Sequence, residues 1–245
     1  MEVISSTENK LIKNIKKLKQ KKYREEAKCY IVEGEHLVLE ALKAGLVEYV
    51  LILEDAIFPI DIKKYYVTKE LMQKITELSS APNMIAVVKY NIEKDFGDKL
   101  LLIDALQDPG NLGTIIRSAV AFNVDTIVLG LNCVDLYNEK VLRATQGLIF
   151  HLNIIKRDLK TFIPEIKNNN YQVYGTKVTH GKDIASLKIS KKYAFIMGNE
   201  GSGVSDELLD MCDDYVYIKT SDVCESLNVG VATGIILYEL NKKGD

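Results

Sequence analysis

The feature that most constrains the fold is a regular alternation of short apolar runs and longer amphipathic stretches from residue 100 onward. The short runs are typical of buried strands, and the longer stretches have the apolar spacing of helices. Such alternation indicates a mainly parallel sheet covered by helices on both faces. The predicted strands are residues 100–103, 126–129, 171–175, 193–197 and 215–218, and the predicted helices are residues 112–122, 139–148, 159–168, 205–211 and 227–240.

Turn-forming residues connect the first of these strands to its helix. Residues 108–111 read Asp-Pro-Gly-Asn, in which Pro fixes φ and both Gly and Asn tolerate positive φ. We predict that Asn111 or Thr114 caps the helix. Arg117 follows about one and a half turns into it. On spacing alone, an ordinary strand–helix unit with a surface arginine explains this stretch equally well.

Two later stretches repeat the pattern of strand end, polar turn and helix start. Residues 198–203 read Gly-Asn-Glu-Gly-Ser-Gly, and residues 225–230 read Glu-Ser-Leu-Asn-Val-Gly. The glycines permit close backbone approach, so backbone groups can bind an adenine edge or a carboxylate. A phosphate-binding turn of a nucleotide-dependent enzyme is the alternative. However, the spacing Gly-x-x-Gly-x-Gly differs from the dinucleotide pattern Gly-x-Gly-x-x-Gly.

Taken in order, the three stretches resemble the three signature motifs of the SpoU (TrmH-like) RNA ribose 2′-O-methyltransferases of the SPOUT superfamily. The resemblance is close over residues 98–242. It implies an α/β methyltransferase domain, residues 98–245, with a parallel sheet and a deep trefoil knot. Periodicity alone predicts an unknotted fold, since knots are very rare. The resemblance further implies S-adenosylmethionine as the cofactor, a ribose 2′-hydroxyl of RNA as the methyl acceptor, and a homodimer.

The resemblance also implies roles for individual residues. Arg117 matches the family's catalytic arginine. Because a guanidinium stays protonated in proteins, we predict that Arg117 orients a phosphate beside the target ribose and does not act as a base. Glu200 is expected to orient Arg117 or the RNA. The expected catalytic residues are Asn111, Arg117, Glu200, Ser226 and Asn228, and the expected cofactor-binding residues are Thr176, Met197, Gly198, Gly201, Ile218 and Leu227.

Two features of these motifs leave alternatives open. Ser226 is a natural N-cap for the last helix, and turn or cap chemistry also explains Asn111 and Asn228. The chain departs from the family at Lys219 and Asp222, where relatives usually carry Pro and Gly. The loop that contains these two residues lines the cofactor in relatives, so the departure bears on cofactor affinity.

The first ninety-two residues are predicted to form a separate small α/β domain. Residues 9–24 contain eight Lys or Arg and no acidic residue, and Leu11, Ile15 and Leu18 give this run helical spacing. The resemblance implies an L30e-like RNA-binding fold for residues 1–92. The predicted RNA contacts are Lys13, Lys16, Lys17, Arg24 and, from a later family-like segment, Arg143. A solvated helix face is the alternative for the lysine run, and a solvated helix arginine is the alternative for Arg143.

Composition sets the remaining expectations. The chain of 245 residues has a net charge of −2, which gives no overall nucleic-acid signal. The four cysteines and the histidines His36, His151 and His180 lack metal-ligand spacing, so we expect no metal and a reduced, cytoplasmic protein. We find no signal peptide and no apolar run that could span a membrane. The family resemblance implies ribosomal RNA over tRNA as substrate, since many tRNA-acting members of the family carry short terminal extensions in place of a separate first domain. A tRNA 2′-O-methyltransferase and a non-catalytic RNA-binding protein of the same fold are the alternatives.

Overall fold

The structure is a computed structural model, and it describes residues 3–57, 59, 61–179 and 181–243. The chain forms two compact units. The first comprises the described residues of 1–92 together with 135–150, and the second comprises those of 93–134 and 151–245. The chain first changes unit between residues 92 and 93, at the predicted end of the first domain. The inclusion of 135–150 in the first unit was not predicted.

The elements, in chain order, are as follows. They are β1 (Val3–Ile4), α1 (Lys10–Leu18), α2 (Lys21–Ala27), β2 (Cys29–Glu33), α3 (Glu35–Lys43), β3 (Val47–Leu53), β4 (Lys64–Val67), α4 (Lys69–Ile75), β5 (Met84–Lys89), β6 (Lys99–Ile103), α5 (Pro109–Ala121), β7 (Thr126–Leu129), α6 (Glu139–Ala144), β8 (Asn153–Lys156), α7 (Leu159–Asn168), β9 (Gln172–Thr176), β10 (Lys182–Asp183), β11 (Tyr193–Met197), α8 (Asp206–Leu209), β12 (Asp214–Tyr217) and α9 (Val229–Lys243). Short 3₁₀ helices occupy Leu148–His151 and Ile184–Ser186.

The first unit is a mixed sheet covered by helices. Its described strands have the order β1-β4-β3-β5-β2, with β5 antiparallel to both neighbours. The apolar side of α1 (Ile12, Ile15 and Leu18) is buried in the same core as α4. Thr68 caps α4, since its hydroxyl oxygen accepts the Leu71 N–H at 3.3 Å. The predicted small α/β unit is therefore confirmed, although β1, α2 and β4 were not predicted.

The second unit is the predicted parallel sheet. In the described part of the chain its strands follow the order β10-β12-β9-β11-β6-β7-β8, and every pair is parallel. The central strands β6 and β11 are buried along most of their length, as their apolar sequences indicated. All five predicted strands of this unit are present within one residue at each end, whereas β8 and the two-residue β10 were missed. The trefoil knot remains a prediction.

Sheet register brings the three sequence motifs to one edge. Met197 pairs with Ile103, Ile196 with Gly175, and Val216 with Thr176. The carboxyl ends of β6, β9, β11 and β12 are therefore nearly level. In parallel α/β sheets, ligands bind outside this edge. The motif loops leave the sheet there.

Two predicted helix caps are wrong. Helix α5 begins at Pro109 and is capped by Asp108, whose Oδ1 accepts the Asn111 N–H at 2.7 Å. Proline is favoured at the first helical position, so the observed cap, Asp108, lies three residues before the predicted cap Asn111. In α9, Asn228 and not Ser226 supplies the capping oxygen, which accepts the Gly230 N–H at 2.9 Å. No helix within the described residues is long and apolar enough to cross a membrane.

Candidate functional site

A cavity of about 470 Å³ opens at the carboxyl edge of the second sheet. Its walls come from the ends of β9, β11 and β12, from the loops that follow them, and from the first turns of α9. Met197, Leu209, Val216 and Ile236 supply apolar surface. All the predicted cofactor-binding residues line this cavity: Thr176, Met197, Gly198, Gly201, Ile218 and Leu227.

The glycine-rich loop after β11 is a tight, internally bonded turn. Asn199 and Gly203 exchange two backbone hydrogen bonds, of 2.9 and 3.0 Å. The Asn199 side chain accepts the Gly201 N–H at 2.9 Å and donates to the Ala105 carbonyl at 2.8 Å. A Cβ on Gly198 would lie 2.0 Å from the Gly203 carbonyl carbon, so only glycine fits there. Sequence reasoning missed Asn199, which holds the shape of this cavity wall.

A chain of side-chain hydrogen bonds connects all three motifs beside the cavity. Asn228 Nδ2 donates to Asn111 Oδ1 at 2.9 Å, and Asn111 Nδ2 donates to Glu200 Oε1 at 3.1 Å. Glu200 also accepts the backbone N–H groups of Gln107 (3.2 Å) and Asp108 (2.8 Å). Three of the predicted catalytic residues, Asn111, Glu200 and Asn228, are thus brought together.

The Glu200 carboxylate is held in its ionised form. Burial by itself would raise the pKa of this carboxyl, but the donors at Asp108, Asn111 and Gln107 outweigh burial and lower the pKa below its ordinary value. An acid with a lowered pKa that already accepts three hydrogen bonds is poorly suited to take a proton. Its contacts instead fix the start of α5 and the Asn111 amide. Orientation of Arg117 by Glu200 was one predicted role, and the structure gives Glu200 these other partners.

The other two predicted catalytic residues lie outside this chain of hydrogen bonds. Ser226 is exposed at the mouth of the cavity. Arg117 is exposed on α5, and its side chain makes no hydrogen bond or ion pair with the described residues. Its guanidinium is therefore available to a ligand.

The cavity fits S-adenosylmethionine by size and chemistry. Its volume lies within the range of small-molecule sites, which bury most of a ligand between apolar walls and a few polar groups. The apolar walls suit an adenine ring, and the two loops offer backbone donors and acceptors. The departures from the family at Lys219 and Asp222 are exposed and do not contribute to the cavity lining. These two residues therefore leave the lining itself intact.

The predicted RNA-binding residues of the first unit are not equivalent. Lys13, Lys16 and Lys17 are exposed on α1, and Lys13 forms an ion pair of 2.6 Å with Glu8. Arg24 is only 5% exposed, so the prediction that it contacts RNA needs correction. Its guanidinium donates to the Leu18 and Lys19 carbonyls and forms an ion pair with Asp135. The Arg24 guanidinium therefore stabilises the fold of the first unit.

Arg143, from the segment 135–150, is half-buried in the first unit. Its Nη1 lies 3.8 Å from a carboxylate oxygen of Glu139, one helical turn earlier.

Among the described residues, no group of His, Cys, Asp or Glu has an arrangement that could hold a metal ion. His180 lies outside the described residues.

Comparison with known proteins agrees with this geometry. The model of the SpoU rRNA methylase family matches residues 98–238, and that of an MRM3-like substrate binding domain matches residues 9–86. The 23S rRNA (guanosine(2553)-2′-O)-methyltransferase RlmP of Bacillus subtilis is 39% identical, over 98% of this chain and 99% of that protein.

Solved structures give the same result. The AdoMet-bound rRNA methyltransferase of Sinorhizobium meliloti superimposes with a TM-score of 0.87 at 27% identity, covering 98% of this chain and 97% of that one. The TrmH/SpoU tRNA modifying enzyme of A. aeolicus covers 62% of this chain and 77% of its own, with a TM-score of 0.53 and 27% identity. With both motif order and fold in agreement, this chain belongs to the SpoU family of S-adenosylmethionine-dependent RNA 2′-O-methyltransferases.

Proposed function

We propose that this enzyme methylates the 2′-hydroxyl of a ribose in 23S ribosomal RNA. The relative at 39% identity carries that activity in its name and matches along nearly the whole of both chains. The tRNA-modifying structure, by contrast, covers 62% of this chain. The match of residues 9–86 to an MRM3-like substrate binding domain supports substrate binding by the first unit. A tRNA substrate is the alternative, and it would give methylation of tRNA alone.

The observation that carries the proposal is the hydrogen-bond chain of Asn228, Asn111 and Glu200 beside the cavity. It fixes the start of α5, the helix that carries the unpaired Arg117. S-adenosylmethionine, when bound, supplies an electrophilic methyl group. The residues that line the cavity, among them Met197, Gly198 and Leu227, would hold this cofactor, and its methyl group would go to the ribose 2′-hydroxyl.

We assign Arg117 the task of orienting the RNA. A guanidinium can bind a phosphate through two parallel hydrogen bonds, which would hold the adjacent ribose in line with the methyl group. The hydroxyl proton then leaves to phosphate or water, because neither Arg117 nor Glu200 is suited to accept it. We also assign Ser226, at the cavity mouth, to the part of the site that binds the ribose to be methylated. Positioning of this kind supplies much of the rate enhancement in such reactions.

We assign initial RNA binding to the exposed lysines Lys13, Lys16 and Lys17 of α1, and a secondary RNA contact to Arg143. We further propose a homodimer formed through α9. Val231 and Tyr238 of this helix are half exposed although both are large apolar residues, which supports a partner surface there. A reduced cytoplasmic location fits the proposed substrate and the free cysteines.

The proposal is tested by methyl transfer from radiolabelled S-adenosylmethionine to 23S rRNA fragments and to bulk tRNA, with the full chain. We expect label in a 23S fragment, at a nucleotide that resists alkaline cleavage because its 2′-hydroxyl is methylated. The same position should lose this resistance in total RNA from a deletion strain. Methylation of tRNA alone would contradict the rRNA assignment. Binding of RNA without any transfer would support the non-catalytic alternative.

A further inference from the structure

A second cavity, of about 800 Å³, lies in the first unit and has no role in the site described above. It is formed by the start of α1, the start of β3 and the first residues of β4. We call it the tyrosine cleft, defined by Lys10, Asn14, Tyr49, Lys63, Tyr65 and Tyr66.

Two aromatic rings provide its floor. Tyr49 and Tyr65 pack edge to face, with ring centroids 5.6 Å apart and planes at 89°. Both rings are partly buried, because one side of each rests on the apolar core beneath α1 and α4. Burial, reinforced by Glu48, raises the pKa of Tyr49 to about 12, so its hydroxyl is neutral and can donate to an anion. The rings are thus fixed in place before any ligand binds.

The rim of the cleft is cationic. Lys63 Nζ lies 5.6 Å from the centroid of the Tyr65 ring. Lys10 and Asn14 are exposed one turn apart on α1, and within the described part of the chain their side chains form no hydrogen bond or ion pair. None of the described lining residues is acidic. A fixed aromatic floor below unpaired cations is the arrangement that binds single-stranded nucleic acid, with bases stacked on the rings and phosphates at the lysines.

We propose that the tyrosine cleft binds an unpaired nucleotide of the RNA substrate. The base lies on Tyr65, beside Tyr49, and Lys10 and Lys63 contact the flanking phosphates. This inference rests on the proposed function only in taking RNA as the ligand. It adds a contact for a looped or bulged nucleotide, whereas the lysines of α1 alone would bind backbone irrespective of pairing.

The test is fluorescence anisotropy of the full chain with a labelled eight-nucleotide single-stranded RNA, over a series of salt concentrations. We expect Tyr65→Leu to weaken binding roughly 5- to 140-fold, which corresponds to one lost stacking contact. Tyr65→Phe keeps the ring and should bind within about twofold of wild type. Lys10→Ala with Lys63→Ala should lower the salt slope by about 1.4, two single-strand phosphate contacts.

A matched control is Lys188→Ala with Lys191→Ala, which removes the same charge from exposed positions of the second unit. It should leave binding and slope unchanged. RNA carrying 4-thiouridine should crosslink to Tyr65 or Tyr49 on irradiation, which mass spectrometry of the peptides would detect. Because Tyr65 also supports the core, circular dichroism checks that Tyr65→Leu is folded. If it is not, the lysine pair and the crosslink decide the matter.

Normal binding by the lysine pair together with crosslinks outside the cleft would overturn the proposal. An equal loss in the control pair would also overturn it, since attraction would then depend on net charge alone. These outcomes are separate from failure of the proposed function, which would be the absence of methyl transfer to 23S fragments by the wild-type chain. Wild-type protein that transfers no methyl group can still bind the short RNA through the cleft. Wild-type protein that transfers methyl groups but does not bind the short RNA through the cleft is equally measurable.

Discussion

Replacing Asn228 separates the two tasks that its side chain performs. Its Oδ1 caps α9 through the N–H groups of Gly230 (2.9 Å) and Val231 (3.3 Å), and its Nδ2 donates to Asn111 at 2.9 Å. Asn228→Ala removes both contacts. Asn228→Asp keeps a capping oxygen but presents a second acceptor to Asn111 Oδ1. The two variants should therefore differ in stability and agree in catalysis.

The expected magnitudes follow from these contacts. Loss of an N-cap costs about 1 kcal/mol, within a range of about 0.5–2 kcal/mol. The hydrogen bond to Asn111 adds about 0.5 kcal/mol, at the low end because water can replace it at this exposed position. For a chain of this length, 1 kcal/mol shifts the melting temperature by roughly 2–4 °C, so Asn228→Ala should melt about 3–6 °C lower. Asn228→Asp should melt within about 2 °C of wild type, because a carboxylate at a helix N-terminus is favourable.

Catalysis should fall in both variants. Without the Asn228 donor, Asn111 is free to turn away from Glu200, and misplacement of about 1 Å near a reacting group can cost roughly a hundredfold in rate. Single-turnover methyl transfer to a 23S fragment measures this loss, and differential scanning calorimetry measures the melting temperature. Near-normal transfer by Asn228→Asp would refute the reasoning, since the link to Asn111 would then be dispensable. If only Asn228→Ala were inactive, the role of Asn228 would be limited to capping α9.

Three further perturbations test the other assignments. Arg117→Ala and Arg117→Lys should both lower the single-turnover rate of methyl transfer about a hundredfold, because an ammonium cannot replace the two-point contact of a guanidinium. Cofactor affinity, measured by calorimetry, should stay within a few-fold of wild type. Loss of cofactor binding together with activity would contradict this assignment. Lys16→Ala with Lys17→Ala should reduce the salt slope of RNA binding by about one unit per lost phosphate contact, and an unchanged slope would mean a merely solvated face. Burial, aided by repulsion from Glu33 and Glu77, raises the pKa of Glu139, so its ionised form favours unfolding. Glu139→Gln should therefore stabilise the protein against urea at pH 7.5 but not below pH 4, whereas an equal gain at both would exclude ionisation as the cause.

Sequence patterns predicted elements best where burial is uniform. Strands such as β7 and β11 are continuous apolar runs between turn residues, and their bounds were predicted without error. Strand β4 was missed because its sequence Lys-Tyr-Tyr-Val, residues 64–67, shows no regular alternation of apolar and polar side chains and follows another lysine, Lys63. It exists because it pairs with both β1 and β3, and pairing partners distant in sequence leave no local signal.

The sequence predicted which residues belong to the site, but it predicted their individual roles less well. Motif order placed Asn111, Glu200 and Asn228 together, and sheet register explains why they meet. Their individual bonds could not be read from spacing. For Glu200, the deciding contacts are backbone donors ninety residues away in sequence. The prediction that Arg24 contacts RNA was wrong for a related reason. Its partner Asp135 belongs to a segment that sequence alone placed in the other domain.

The segment 135–150 has a consequence for any attempt to study the second unit alone. It is encoded between β7 and β8 of that unit, yet within the first unit Tyr137 stacks on Tyr90 with centroids 4.0 Å apart and lies 4.4 Å from Tyr30. Asp135 adds the ion pair with the buried Arg24. A fragment that begins at residue 98 would therefore carry this segment without the aromatic and ionic partners that bury it. Loss of cofactor binding by such a fragment would report on the exposed segment as much as on the cavity, and for this reason the binding and transfer measurements use the full chain.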